Sequence, residues 1–435
     1  MAIEHKDSYK WLVVALLGVI GCLNYMDRTA IFSVFPILSK ELGMSDIQLG
    51  LLGSVFLWVY GFSSPVAGYL GDRFRRKKVI LWSLVLFSGA TFVTGLAVTR
   101  WQLIWLRGLL GVSEALYLPA ALALIADYHS TRTRSTAIGL HNTCLLGGGV
   151  LGGVLGGYMG DHYGWRQAFY LLGGVGALVA LVSTLSLRDP VKGASDFSTP
   201  DQARLVPREP LARTLGAILT KPTVLCIMFC GIAGSAVSWV VSTWMPLYLH
   251  ERFGMSLAQA GFSAMFYVAI AGASGLLVGS VLADRWAMRD QRGRMFMQVL
   301  GLAVAAPAAL AISSAGTAST LLTLFAIFGF GRGLWECNSM PIFCDVMSPA
   351  TRSTTYGVNN LANTLSGGVA VFLTGVLKKS LGIGTTVSIF ALLLVVSVGL
   401  TLLVSFRYLP KDMRDLREKL AGFRENKEAM ASIKQ

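Results

Sequence analysis

The sequence predicts an all-α membrane protein of about twelve transmembrane helices in two related six-helix bundles. Hydrophobic residues make up 54% of the 435-residue chain against 14% charged, more apolar surface than a soluble core could bury. They fall in runs of roughly 20 residues, the length at which a helix crosses a bilayer. A polar stretch separates an earlier set of runs from a later one, and short motifs recur between the two sets.

The expected spans are 10–36, 48–70, 79–98, 102–127, 136–159 and 166–186, then 223–249, 258–283, 295–314, 319–346, 354–377 and 385–407. The first is too long for a cleavable signal peptide, carries Asp27 and Arg28, and lacks a small-residue cleavage site. It is expected to remain as a membrane helix. Between Leu187 and Lys221 the hydrophobicity collapses, with turn chemistry at Asp189-Pro190 and Ser198-Thr199-Pro200. The domain expectation is an N-terminal bundle over 1–187, a cytoplasmic linker over 188–221, a C-terminal bundle over 222–410 and a cytoplasmic tail over 411–435.

Lys and Arg collect after span two (Arg73, Arg75, Arg76, Lys77, Lys78), after span four (Arg132, Arg134), after span eight (Arg285, Arg289, Arg292, Arg294) and in the tail. The positive-inside bias places these loops and both termini in the cytoplasm. It also accounts for the net charge of +14, because the cations flank hydrophobic spans and no nucleic-acid-binding module accompanies them. The six cysteines lie inside expected helices and indicate no disulfide framework. No His or carboxylate cluster completes a metal site with Cys226 and Cys230.

The halves repeat. Arg134-Ser135-Thr136-Ala137-Ile138-Gly139 matches Arg352-Ser353-Thr354-Thr355-Tyr356-Gly357 at an offset of 218 (352 − 134), and Asp127 matches Asp345. Leu70-Gly71-Asp72-Arg73 recurs as Leu282-Ala283-Asp284-Arg285. Parallel repeats side by side characterise a class of transporters whose substrate binds near the midplane between the halves.

The segment Gly68-Tyr69-Leu70-Gly71-Asp72-Arg73-Phe74-Arg75-Arg76-Lys77 closely resembles the loop 2–3 signature of the major facilitator superfamily. Within it, Asn24-Tyr25-Met26-Asp27-Arg28, Arg107 with Glu114 and Pro119, Gly164-Trp165-Arg166, Trp244-Met245-Pro246 and Gly254-Met255-Ser256 resemble the anion:cation symporters, which include hexonate and hexuronate carriers. Spinster-type lipid transporters resemble the chain at fewer of these segments and are the second choice. The resemblance implies that the loop residues Gly68, Asp72, Arg73 and Arg76 latch the halves in the outward-open state.

Ionisable groups in hydrocarbon cost several kcal/mol each, so they persist where they pair or line a watery cavity. Asp27 and Arg28 point about 100° apart on a helix. The resemblance implies that Arg28 faces the cavity and holds the substrate carboxylate while Asp27 faces the bundle interior and takes a proton. A guanidinium suits the anchor because its planar fork binds carboxylate bidentately and stays charged. Arg107 and Glu114, two turns apart, share one helix face. Glu114 is read as the second proton carrier with Arg107 as its ion-pair partner and acidity tuner, against the alternative of a structural salt bridge. Arg332 and Glu336 in span ten either neutralise each other or leave Glu336 free for substrate hydroxyls.

Asn142 and Asn360, aligned by the repeat, are candidates for hydroxyl recognition, or else for helix contacts. Tyr25, Tyr60, Trp239 and Trp335 are candidate aromatic walls, though packing is the commoner role. His141 could relay a proton, but a hydrogen-bonded helix contact is favoured. The glycines of span five fit close helix approach rather than a phosphate loop.

The resulting expectation is a proton-coupled symporter for a small organic monoanion, a hexonate or hexuronate, by alternating access in a bacterial inner membrane. The alternative is a Spinster-like proton-coupled lysolipid or sphingolipid transporter, disfavoured by Arg332, Glu336, Asn338, Asn359, Asn360 and Asn363 in the second half. Protons are the coupling ion, no cofactor or metal is expected, and the chain is expected to be a monomer. An enzyme is disfavoured for want of any catalytic motif, and a channel because paired buried charges suit alternating access better than a pore.

Overall fold

Helix starts and stops are written into the sequence at equivalent places in the two halves. Ser45 and Gln48 form a reciprocal capping box, as do Ser256 and Gln259, each satisfying backbone N–H groups that the first turn leaves free. Just before each cap, a glycine takes the left-handed conformation that side chains resist, Gly43 at φ 59° and Gly254 at φ 65°. Thr99 and Thr317 cap the fourth and tenth spans 218 positions apart (317 − 99).

The structure is a computed structural model that describes residues 7–129, 133–189, 211–348 and 351–418. The first half comprises α1 (Asp7–Ser33), α2 (Phe35–Glu41), α3 (Asp46–Arg73), α4 (Arg76–Gly95), α5 (Arg100–Ala115), α6 (Tyr117–Tyr128), α7 (Arg134–His162) and α8 (Trp165–Ser186). The second comprises α9 (Leu211–Thr220), α10 (Pro222–Phe253), α11 (Leu257–Ala287), α12 (Gly293–Leu310), α13 (Ala318–Glu336), α14 (Ser339–Val346) and α15 (Arg352–Arg407). No strand occurs among the described residues.

Among the described residues, eleven helical stretches are long and apolar enough to cross a membrane, and the last of them runs for 54 residues. Gly382 interrupts it at φ 76°, so it supplies two spans and the total is twelve. Gly164 makes the equivalent break between α7 and α8 at φ 87°, 218 positions earlier (382 − 164).

Three expected spans are subdivided by proline, which offers no N–H to the carbonyl four residues back. Pro36 separates α2 from α1, Pro119 lies at the α5/α6 break and Pro341 at the α13/α14 break. Two further differences concern polar segments. Part of the expected linker is the helix α9, while 190–210 lies outside the described residues. Residues 409–418, which run from the expected bundle into the expected tail, are helical, with Leu409, Asp412, Met413 and Leu416 buried. Asp412 accepts a hydrogen bond from the Thr223 N–H at 3.2 Å, which caps α10; residues 419–435 lie outside the description.

The glycines of α7 serve two opposite faces. A Cβ at Gly148, Gly152 or Gly156 would strike the α1 backbone at Cys22, Met26 and Ala30, whereas one at Gly153 or Gly157 would strike α11 at Gly261 and Leu257. The first face closes the N-terminal bundle and the second brings the halves together.

The halves meet toward the end opposite the chain termini. There the Asp161 carboxylate accepts from Leu257 N–H (3.3 Å) and Ala258 N–H (3.1 Å). Ser54 Oγ donates to the Gly368 carbonyl at 2.7 Å. Lys378 bridges Asp46 and Glu251, 2.9 Å from each. The described hydrogen bonds and ion pairs between the halves gather at this end, which leaves the halves parted toward the side that carries the termini, where Phe62 is 65% and Tyr356 47% exposed.

Candidate functional site

Arg28 sits where α1 passes α3 and α5. Its Nε donates to Glu114 Oε2 at 2.6 Å, and the guanidinium lies 4.6 Å from the Tyr25 ring centroid, 4.7 Å from Tyr60 and 5.1 Å from Phe56. Phe56 and Tyr60 share a face of α3 one turn apart, with rings stacked at 5.9 Å. This aromatic frame excludes water and offers its π faces to the cation. Glu114 reaches Arg28 from the last turn of α5, just before the helix breaks ahead of Pro119.

The partners differ from the expected ones. Arg107 is not hydrogen-bonded to Glu114; its Nη1 donates to the Asp27 carbonyl at 3.4 Å and its Nη2 to the Arg28 carbonyl at 3.3 Å. The fully buried guanidinium stacks on Phe56 at 4.9 Å and Phe32 at 5.7 Å. The physical reason is reach. Sharing a face two turns apart leaves both side chains free to turn toward α1, where Arg28 offers a charge and the Asp27–Arg28 backbone offers carbonyls.

Asp27 points into the bundle and is 1% exposed. It lies beside Thr91 and Glu114, with the Arg107 and Arg28 guanidiniums as the opposing charges nearby. Neither carboxylate oxygen has a formed hydrogen bond, and Glu114 Oε1 also lacks one. Two carboxyls and two guanidiniums thus share one buried cluster, with three carboxyl oxygens left for protons.

In the second half, Arg332 Nε lies 3.0 Å from Glu336 Oε2, with side chains 35% and 54% exposed. Neighbouring α13 residues pack elsewhere: Gly331 on α12, Gly333 on α11, and Trp335 on Gly234 of α10. The ion pair occupies the remaining face. Tyr356 is 47% exposed on α15, with Glu336 and Tyr25 among the titratable groups around it. Asn360 is exposed on α15, and Trp239 covers Gly367 nearby.

Several sequence candidates lie elsewhere. Trp335 is 4% exposed and packs inside the C-terminal bundle, because the face that presents Arg332 and Glu336 turns it toward α10. Asn338 is buried, its Nδ2 donating to the Leu334 carbonyl at 2.9 Å, and Asn359 is buried beside exposed Asn360. Asn142 is exposed on α7, and no described hydrogen bond joins it to the charged cluster. His141 is buried 2.8 Å from Tyr117 Oη, the helix contact favoured for it.

Arg76 pairs with Asp127 and donates to the Ala123 carbonyl, both within its own half. The surroundings of Gly68 and the side chains of Asp72 and Arg73 lie outside the described residues. Phe56, Thr91 and Tyr356 join the site without having been singled out. Phe56 was findable as the i − 4 neighbour of Tyr60. Tyr356 was findable as an aromatic where the repeat has Ile138, and Thr91 carries no signal beyond its polarity.

Residues 17–371 match the model of the Major Facilitator Superfamily. The "Probable galactarate/D-glucarate transporter GudP" of Escherichia coli (strain K12) is 23% identical, over 96% of this chain and 97% of that protein. "Protein spinster homolog 1" of Xenopus laevis is 26% identical, over 89% of this chain and 76% of that one. An "MFS-type efflux pump" of Mycolicibacterium smegmatis is 29% identical, over 87% and 86%. A crystal structure of a bacterial homologue of the human lysosomal transporter Spinster, inward-facing and unoccupied, superposes with a TM-score of 0.82 at 22% identity, covering 94% of this chain and 99% of that one. With twelve spans in two repeated halves and a family match over most of its length, this chain is a multi-pass membrane transporter that belongs to the Major Facilitator Superfamily.

Proposed function

We propose that the chain is a proton-coupled symporter that carries a small organic anion of the sugar-acid class by alternating access. The observation that carries this reading is the Arg28 guanidinium, framed by Tyr25, Tyr60 and Phe56 and occupied by the Glu114 carboxylate at 2.6 Å. A proton on Glu114 weakens that ion pair, and the substrate carboxylate takes the vacated fork. Proton and anion then favour each other's binding by linkage.

Asp27 is the second proton site in this reading, beside Glu114 with both oxygens unbonded. Arg107 fixes the α1 backbone between them and opposes the Asp27 charge. Rocking about the α7–α11 and α3–α15 contacts moves the site between the two sides of the membrane. The Lys and Arg distribution orients the open side and both termini to the cytoplasm, in a bacterial inner membrane. Two Escherichia coli relatives named as galactarate/D-glucarate transporters support the sugar-acid class.

A Spinster-like lysolipid carrier is the second reading, supported by the Xenopus relatives and by the exposed apolar Phe62 and Val66 of α3. The Arg332–Glu336 pair and Asn360 argue against it, because an amphiphile's tail needs an apolar wall. Thermal unfolding of the purified protein separates the two, since a ligand of the folded state raises the midpoint. A hexonate, hexuronate or hexarate should raise it and a lysophospholipid should not; the reverse pattern would replace the first reading with the second.

A further inference from the structure

We propose that Asp27 releases its proton to the cytoplasm through the seam between α4 and α8, by way of Thr91 and Ser88, on a route separate from the substrate cavity. This rests on the proton-coupled reading and goes beyond it in naming a path and the residues that form it. Buried Ser and Thr hydroxyls in helices ordinarily donate to a nearby carbonyl, and in the first half Thr29, Ser33, Ser54, Ser83, Thr94 and Ser113 all do so. Ser88 and Thr91 on α4 and Ser183 on α8 do not: each is at most 3% exposed and its oxygen has no partner. Among the described residues of the first half, the unpartnered buried Ser and Thr hydroxyls thus lie on these two helices alone.

Packing sets the three hydroxyls along one seam. α8 runs antiparallel to α4, with Tyr170 against Gly95, Gly173 against Phe92, and Gly176 against Ser88, where a Cβ would strike the hydroxyl. Ser183 is seven residues after Gly176, two turns on, and therefore on the same face of α8. Beside it, Lys77 Nζ donates to the Thr184 carbonyl at 2.8 Å. The seam begins at Thr91 beside Asp27, passes Ser88 one turn on, and runs by Ser183 to the end of α8. There the exposed Asp189 carboxylate accepts from the Lys77 N–H at 2.8 Å, an acceptor in reach of water for the departing proton.

Charge favours this direction. Toward the substrate site Asp27 has Glu114 and the fixed cations Arg107 and Arg28 around it, and like charges oppose a passing hydronium, whereas the seam offers neutral hydroxyls. The step balances as a relay. Side chains three residues apart on a helix stand about 5–6 Å apart at Cβ, so a water joins Thr91 to Ser88, as buried waters do where hydroxyls lack protein partners. Thr91 Oγ1 accepts the Asp27 proton and gives its own to that water, Ser88 repeats the exchange, and Asp27 is left as a carboxylate opposite Arg107 and Arg28.

The test reconstitutes wild-type, Ser88→Ala, Thr91→Val and Thr91→Ser proteins of matched thermal midpoint in liposomes, with D-glucarate as the probe. Two rates are read for each: substrate-driven proton movement, from a lumenal pH dye, and counterflow, which needs no net proton movement. Ser88→Ala should slow proton movement about fivefold or more, the scale of one hydrogen bond lost from the path, with counterflow within about twofold of wild type. Thr91→Val should lower the ratio of proton movement to counterflow by a similar factor, and Thr91→Ser, which keeps the hydroxyl, should restore it. Ser88→Ala with both rates intact, or with both reduced equally, would overturn the seam as a route while leaving proton coupling standing. A wild type that moves no protons with the probe would overturn the parent reading and the seam with it.

Discussion

Arg28 Nε and Glu114 Oε2 lie 2.6 Å apart with both side chains almost wholly buried, so the group assigned to the substrate is held by the group assigned to the proton. A proton and an anion acting on one ion pair cannot bind independently. That is the physical content of the coupling proposed for this site.

Truncating one partner of a buried pair leaves the other charge uncompensated, at a cost of about 3–5 kcal/mol. Arg28→Ala should lose anion binding and lower the thermal midpoint, and adding Glu114→Gln should recover most of the midpoint but none of the binding. Calorimetry and thermal unfolding on the two variants read both quantities. Binding retained by Arg28→Ala would remove the anchor.

The two glycine faces of α7 should give opposite phenotypes. Gly152→Val drives a side chain into the α1 backbone and should destabilise the bundle by about 1–3 kcal/mol or more, seen as poor folded yield. Gly157→Val meets α11 across the halves, so it should fold yet fail to close this end. Cysteine labelling at the α7–α11 contact should rise in Gly157→Val only. Equal labelling in that variant and the wild type would show that this contact is not the closing surface.

Lys378 joins Asp46 of the first half to Glu251 of the second. Lys378→Ala should shift the population toward the conformer open at this end, by a factor of a few, because partly exposed pairs contribute about 1 kcal/mol or less. Distance distributions from paired spin labels across the α3–α15 contact would read the shift, and an unchanged distribution would limit the bridge to local packing.

Twelve spans, the repeat and the glycine contacts were legible because hydropathy, helix-scale motifs and small-residue spacing act locally along the chain. The partners of Arg107 and Glu114 were not, because the choice depends on where α1 lies against α5. Seven residues on one face say only that two side chains can meet. The same limit misplaced Trp335: its neighbours Arg332 and Glu336 are partly exposed while it packs on Gly234 of α10, and which side of α13 faces α10 is a tertiary fact. Tyr356 was legible only as the aromatic that departs from Ile138 in the repeat, a signal that the matching residues around it overshadow.

The central claim is that protons drive the anion through Asp27 and Glu114, and accumulation against counterflow in proteoliposomes tests it most directly. Wild-type protein should accumulate a sugar acid under an inward proton gradient, without sodium, and stop when a protonophore collapses the gradient. Asp27→Asn and Glu114→Gln should each lose accumulation, while at least one retains counterflow, which needs no net proton movement. Undiminished accumulation with the protonophore present, or full proton-driven accumulation by both variants, would contradict the account.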